Sequence, residues 1–187
     1  EVRIIAAALS VQDPRQRPLE RAEAADERPA RFADEQSDFL SFLRLWKLQE
    51  ESGLRRLCRE NFLSYPRMRE WRDLAGQLRE MAGDLKIRDN PTPATYEQMH
   101  RALLTGLVTN VGLKALDGDH YNAPRGIPFA IWPGSGLKKN RPRWIMAGEL
   151  QETTRIYARN VARIEPEWIE KAAAHLITKL HAEPHWD

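Results

Sequence analysis

Two short stretches of the chain combine cations with aromatic rings at spacings that could handle a polyanion. Lys138, Lys139, Arg141 and Arg143 fall within one loop leading into Trp144, and a cationic loop of that kind neutralises phosphates without reading bases. Downstream, Arg155, Tyr157 and Arg159 alternate with Ile156 and Ala158. If that run is a strand, period-2 geometry puts both arginines and the tyrosine on one face, able to hold a phosphate backbone and stack a base. A solvated strand face accounts for the same pattern equally well, and Tyr157 could instead pack inside the fold. A third group, Arg55, Arg56, Arg59 and Asn61, precedes a break at Pro66, with Arg67 and Arg69 after it. Such clusters commonly do no more than solubilise a helix.

Other chemistries find less support. No glycine-rich phosphate loop ending in Lys-Ser or Lys-Thr occurs, since Gly134-Ser135-Gly136 runs into Leu137 and Lys138. His181 and His185 lie four apart with Glu183 between them, a spacing that could put two imidazoles on one helix face, but Pro184 interrupts that helix and no third ligand is evident. Glu149 and Glu152 have no facing partner of the kind a general acid/base pair requires. Cys58 and His100 could serve as nucleophile and base, yet nothing local orients them. We therefore expect no catalytic residue, metal or cofactor from these residues themselves.

Composition narrows the class without naming a partner. The 187 residues are 42% hydrophobic and 30% charged, ordinary for one compact globular domain or two small ones. The 29 Lys and Arg against 27 Asp and Glu leave a net charge of +2, so affinity for nucleic acid must come from local clustering. The single cysteine, Cys58, can form neither an internal disulfide nor a thiolate zinc cage, which fits a reducing cytosol and a core position. No apolar run approaches a membrane span, so a cytoplasmic location and no membrane partner are expected. The apolar stretch Ile4 to Leu9 looks like the last turns of a helix whose start is missing, as in a piece of a longer chain.

The elements that must position these residues fall into two textures. Helices are expected before Pro14, from near Pro18, over Gln36 to Glu51 with Phe39, Leu40, Phe42, Leu43 and Trp46 at helical spacing, and over Leu54 to Phe62. Pro66 should then open a long helix whose buried stripe is Met68, Trp71, Leu74, Leu78, Met81 and Leu85. After the break at Asp89 to Thr95, a further helix runs from Ala94 to Leu107 and ends near Gly106 or Gly112. Beyond it, glycines and prolines punctuate short candidate strands at Ile127 to Trp132, Arg143 to Gln151 and Thr154 to Ile164, and Pro166 with Trp168 opens a closing helix through Leu180. The expected fold class is multi-domain α+β, an all-α helical bundle over residues 1–112 followed by a small β-barrel with a C-terminal helix over 113–187.

Several ordered segments carry a family likeness. IIAAALSVQDPRQRP, Ile4 to Pro18, resembles the Leu-Ser-Val-Gln signature closing the winged-helix segment of DEAH-box RNA helicases, and Ala30 to Trp46 resembles the stretch in which an Arg-Phe pair precedes an Asp and an apolar helix. Cys58 to Leu78 is similar to the Cys-x-x-Asn-Phe segment opening the family's long ratchet helix, and Arg101 to Gly112 to the helix ending that domain. Pro128 to Ile169 is similar to the family's oligonucleotide-binding (OB) fold, with its His-Pro-Ser-Ser, Glu-Leu, Thr-Thr-Lys-x-Tyr and Asp-Pro-x-Trp signposts. Trp132 stands for the histidine, Gly134 for the first serine, Arg155 for the lysine and Glu165 for the aspartate, while Ser135 matches the second serine. LDGDHYNAPRG and the tail HLITKLHAEPHWD resemble the bacterial HrpA branch.

The resemblance implies the C-terminal part of an ATP-dependent RNA helicase, in which ratchet and OB domains close over single-stranded RNA while motor domains elsewhere in the parent bind ATP and Mg. It adds Ser135 to the candidate RNA-binding residues Lys138, Lys139, Arg141, Arg155, Tyr157 and Arg159, with Arg59, Asn61 and Arg69 on the helical side. The residues alone leave open a stand-alone nucleic-acid or protein-docking module without helicase activity.

Overall fold

The computed structural model describes residues 1–16, 32–51 and 53–176. The helix expected near Pro18, the last turns toward Leu180, and the histidines His181 and His185 lie outside the described residues. Among the described residues, no helix is long and apolar enough to cross a membrane.

The helices form where apolar residues recur at helical spacing. α1 (Val2–Ser10) buries Ile5, Ala7 and Ala8, small enough on one side for another helix to approach closely. α2 (Asp38–Glu51) buries Phe39, Phe42 and Leu45. α3 (Leu54–Glu60) buries Leu57 and Cys58 and is closed by Phe62, whose left-handed φ of 52° lets the Leu63 N–H reach Cys58 O at 2.9 Å. α4 (Tyr65–Asp84) starts with Pro66 in its first turn, where the missing N–H costs nothing. Its Trp71 is fully buried, meets Phe42 and Trp46 edge-on, and donates its indole N–H to Ile4 O at 2.8 Å. α5 (Tyr96–Leu107) carries a capping box, Thr95 Oγ1 accepting from Gln98 N while Gln98 Oε1 accepts from Thr95 N.

The expected stripe of α4 is core only along its first half. Met68 and Trp71 are buried and Leu74 and Leu78 partly so, but Met81 is 59% and Leu85 71% exposed. Length explains this: α1, the helix α4 lies along, has 9 residues against 20, about half the reach at about 1.5 Å per residue.

The strands are β1 (Val111–Lys114), β2 (Tyr121–Asn122), β3 (Pro128–Ile131), β4 (Trp144–Glu152) and β5 (Ile156–Arg163), and α6 (Pro166–Ala172) follows. They close a barrel in the order β1-β2-β3-β5-β4, antiparallel except for the parallel β3–β5 pair. β1 and β2 were not expected; the first falls at a helix end and the second is only two residues long, too short to show a period. Gly112 admits the interior rings at β1, since a Cβ there would lie 2.4 Å from the Phe129 ring.

Helices and barrel share one core. Ile5, Phe39, Met99, Leu103 and Leu104 pack with Val111, Met146, Ala162 and Ile164. The chain changes from helix to strand between Leu107 and Val111, yet apolar packing runs continuously across that point. The segment before α2 also joins the barrel as a short strand edge, with Ser37 bridged to Ala162 and Arg163 N donating to Gln36 O at 2.9 Å. Beneath it His100 is fully buried, its Nδ1 2.7 Å from Tyr96 O and its Nε2 2.7 Å from Ser37 Oγ. The carbonyl can only accept, so Nδ1 carries the proton and the Ser37 hydroxyl donates to Nε2. Burial pushes the His100 imidazole down to about 4, against the Tyr96 carbonyl and the Asp34 charge.

Candidate nucleic-acid interface

Tyr157 pairs with Ala130 of β3 on one side and Gln151 of β4 on the other, while its neighbour Ala158 is buried in the barrel. Alternation therefore turns Tyr157 and Arg159 outward, both half-buried. Tyr157 lies outside the barrel's buried cluster. Arg155 sits in the turn before β5 rather than in the strand, but its guanidinium lies over the Tyr157 ring at 4.8 Å. Trp132, just past the end of β3, meets Tyr157 edge-on at 5.3 Å, and the Arg159 guanidinium lies 4.6 Å over the Trp132 ring. Gln151 Oε1 accepts from Arg159 at 3.0 Å. The surface is thus a row, Arg155, Tyr157, Trp132, Arg159, in which each ring holds one guanidinium in place.

Such a row presents flat cationic planes, which can pair with phosphate oxygens and also stack on bases. A carboxylate stands near one end of it. Burial alone would raise the Asp13 carboxyl, but hydrogen bonds from Arg15 at 2.9 Å and 2.6 Å, the Arg15 charge and a smaller pull from Arg159 hold it below the usual range.

The cationic loop after Trp132 is sorted by the fold into free and committed groups. Lys138 and Lys139 are exposed and have no ion-pair partner among the described residues. Arg141, one of the expected phosphate-neutralising cations of the loop, pairs with the Asp119 carboxylate, its Nε donating to Lys138 O at 3.2 Å. The Ser135 hydroxyl accepts from Leu137 N at 3.2 Å, so it is occupied within the loop, and it favours the charged form of the Asp38 carboxyl. No hydrogen bond or ring contact joins the two lysines to the Arg155–Arg159 row among the described residues.

The helical candidates lie on other elements. Asn61 caps α3, its Nδ2 donating to Leu57 O at 2.9 Å, and Arg59 is exposed on the same helix. Arg69, on α4, borders a shallow groove with Arg55, Arg56, Arg72 and Tyr65, and Arg55 lies 5.3 Å over the Tyr65 ring. Cys58 and His100 are buried in different apolar surroundings, so the fold does not bring them together as nucleophile and base.

Sequence reasoning missed Trp132 as a member of the row. Its available signal was an aromatic side chain at the end of a strand, beside the glycine-rich run that opens the cationic loop.

Comparison with known proteins agrees with the barrel. Residues 99–177 match the family described as oligonucleotide/oligosaccharide-binding (OB) fold. Over its whole length the chain is 47% identical to the ATP-dependent RNA helicase HrpA of Escherichia coli K12, and 47% identical to the HrpA homolog of Haemophilus influenzae. It spans 15% of the length of each of these relatives. A closed barrel, the OB-fold match and identity along the whole chain converge: the chain is homologous to the C-terminal, OB-fold-bearing part of HrpA helicases.

Proposed function

We propose that this chain is the single-stranded RNA-binding part of a cytoplasmic ATP-dependent RNA helicase. Its helices form the ratchet domain and its barrel guides RNA toward motor domains elsewhere in the parent, which bind ATP and Mg. The observation that carries the reading is the Arg155, Tyr157, Trp132, Arg159 row on an OB barrel, with the free lysines Lys138 and Lys139 on the loop that follows Trp132. Guanidinium planes and ammonium groups engage phosphates and any base alike, so binding is sequence-tolerant. Arg59, Asn61 and Arg69 extend the surface onto the helical side, and Ser135 and Arg141 contribute by shaping the loop.

The test is a titration of a labelled twelve-nucleotide oligouridylate against the chain between 50 and 200 mM salt. Affinity should fall with salt by about 0.7 logarithmic units per engaged phosphate for each decade of salt. Alanine at Arg155 or Arg159 should lower that slope, whereas alanine at Tyr157 or Trp132 should weaken binding by about 1–3 kcal/mol at an unchanged slope. Salt-independent affinity, or full affinity in folded variants of all four, would refute the site. The chain alone should hydrolyse no ATP with or without RNA, because these residues include no phosphate cradle.

A further inference from the structure

Asp38 is the first residue of α2, yet its carboxylate does not serve its own helix. It is buried, and it reaches across to the barrel. Oδ1 accepts from Gly136 N at 3.1 Å and Oδ2 accepts from Val161 N at 2.9 Å, with the neighbouring Ser135 hydroxyl favouring the charged carboxylate. One side chain therefore ties the start of the cationic loop to β5. The segment around it is itself hydrogen-bonded internally: Asp34 Oδ1 accepts from Gln36 N at 2.9 Å and Ser37 N at 3.0 Å, and Arg44 holds Oδ2 at 2.5 Å.

A second observation points to the same place. Gly136 lies so close to this segment that a Cβ on it would stand 2.2 Å from Asp34 O. Backbone cannot yield by that much, so the loop is pressed against 34–38 as well as bonded to it. Further along, Asn140 Nδ2 donates to Glu35 Oε2 at 3.3 Å. Lys138 and Lys139 lie between these anchors, and among the described residues their side chains make no hydrogen bond or ion pair.

We infer that Asp38 is a positioning residue for RNA, holding Ser135 and Gly136 so that Lys138 and Lys139 present their charges from a fixed loop beside the aromatic–arginine row. This rests on the proposed RNA-binding role of that loop. The helical part thereby sets the phosphate-binding geometry of the barrel, although it contributes no contact of its own there. A flexible loop would have to be ordered at the moment of binding, which lowers affinity without removing any charge.

The experiment compares Asp38→Asn, Gly136→Ala, Ser135→Ala and the double variant K138A/K139A in the full chain. Asparagine has one accepting oxygen where the carboxylate has two, so its NH2 must face a backbone N–H. Alanine at 136 pushes the loop away from Asp34 and leaves the carboxylate intact. Two measurements are taken, hydrogen exchange over residues 133–141 and the salt-dependent titration with oligouridylate.

Asp38→Asn and Gly136→Ala should each raise exchange in the loop and weaken binding by about three- to tenfold at low salt. They should leave the salt slope near its original value, because both lysine charges remain, whereas K138A/K139A lowers it, and they should add little when combined with K138A/K139A. An effect of Asp38→Asn that adds in full to that of K138A/K139A, an unchanged loop exchange, or a loosened loop with unaltered affinity would each overturn the inference. If Asp38→Asn fails to fold, Gly136→Ala and Ser135→Ala decide by the same criteria. A silent K138A/K139A variant, with the loop still loosened by Asp38→Asn, refutes instead the reading of the loop as an RNA contact, and the positioning role falls with it.

Discussion

The buried His100 makes the protein's stability depend on pH in a calculable way. The imidazole is stacked on Tyr96 at 3.7 Å, tilted against Phe39, and fully removed from solvent. Its folded-state value is about 4 against 6.5 for a free histidine. Between those values the unfolded chain binds a proton that the folded chain refuses, so stability rises with pH through the window and falls on acidification. The whole difference is worth about 3 kcal/mol, of which about 2 kcal/mol is lost by pH 5. His100→Gln removes the titration while an amide can still donate toward Tyr96 O and accept from Ser37. Urea unfolding of both proteins at pH 7.5, 6 and 5 gives the comparison. Asp38, raised by burial against its hydrogen bonds and the Arg15 charge, titrates in the opposite sense, favouring the fold as pH falls. It is common to both proteins and cancels in the difference. The wild type should therefore lose about 2 kcal/mol relative to the variant between pH 7.5 and 5. A difference that stays flat would show that His100 charges freely in the fold and that the Ser37–His100–Tyr96 arrangement has been misread.

Trp71→Phe removes the indole N–H bonded to Ile4 O and shrinks the contact with Phe42 and Trp46. It should cost about 1–3 kcal/mol in a urea melt, and an unchanged midpoint would mean α1 is not held by that tryptophan. Gly112→Ala should lower the thermal midpoint, the Cβ meeting the Phe129 ring at 2.4 Å for a penalty of about 1–3 kcal/mol; a neutral result would show that the ring can move aside.

The helical half was legible because its elements are long enough to show a period. Phe39 and Phe42 of α2, and Met68 and Trp71 of α4, fall on buried faces that the 3.6-residue repeat identifies without reference to anything distant, whereas Leu45, also buried, lies outside the expected stripe. The same repeat misled at Met81 and Leu85, since it says which face of a helix is apolar and not how far the covering helix extends. β3, β4 and β5 were placed to within about two residues. β1 escaped because Val111 to Lys114 follows directly on helical residues and contains Gly112, whose role is to admit the Phe129 ring.

For the candidate site, local periodicity gave one strand face and nothing about what crosses it. Tyr157 and Arg159 follow from alternation along β5, but Trp132 joins them through the parallel β3–β5 pairing, which no short-range pattern encodes. Charge showed the same limit. Lys138, Lys139 and Arg141 read as one cationic run, yet Asp119, from the loop between β1 and β2, takes up Arg141 and leaves the lysines free. A buried carboxylate such as Asp38 is the least legible of all. At the head of α2 it reads as an ordinary helix-start residue, and only the fold shows that its two oxygens are spent on Gly136 and Val161 instead. Sequence therefore supplies the cations, and the distant pairings that sort them into structural clamps and free ligands are properties of the closed barrel.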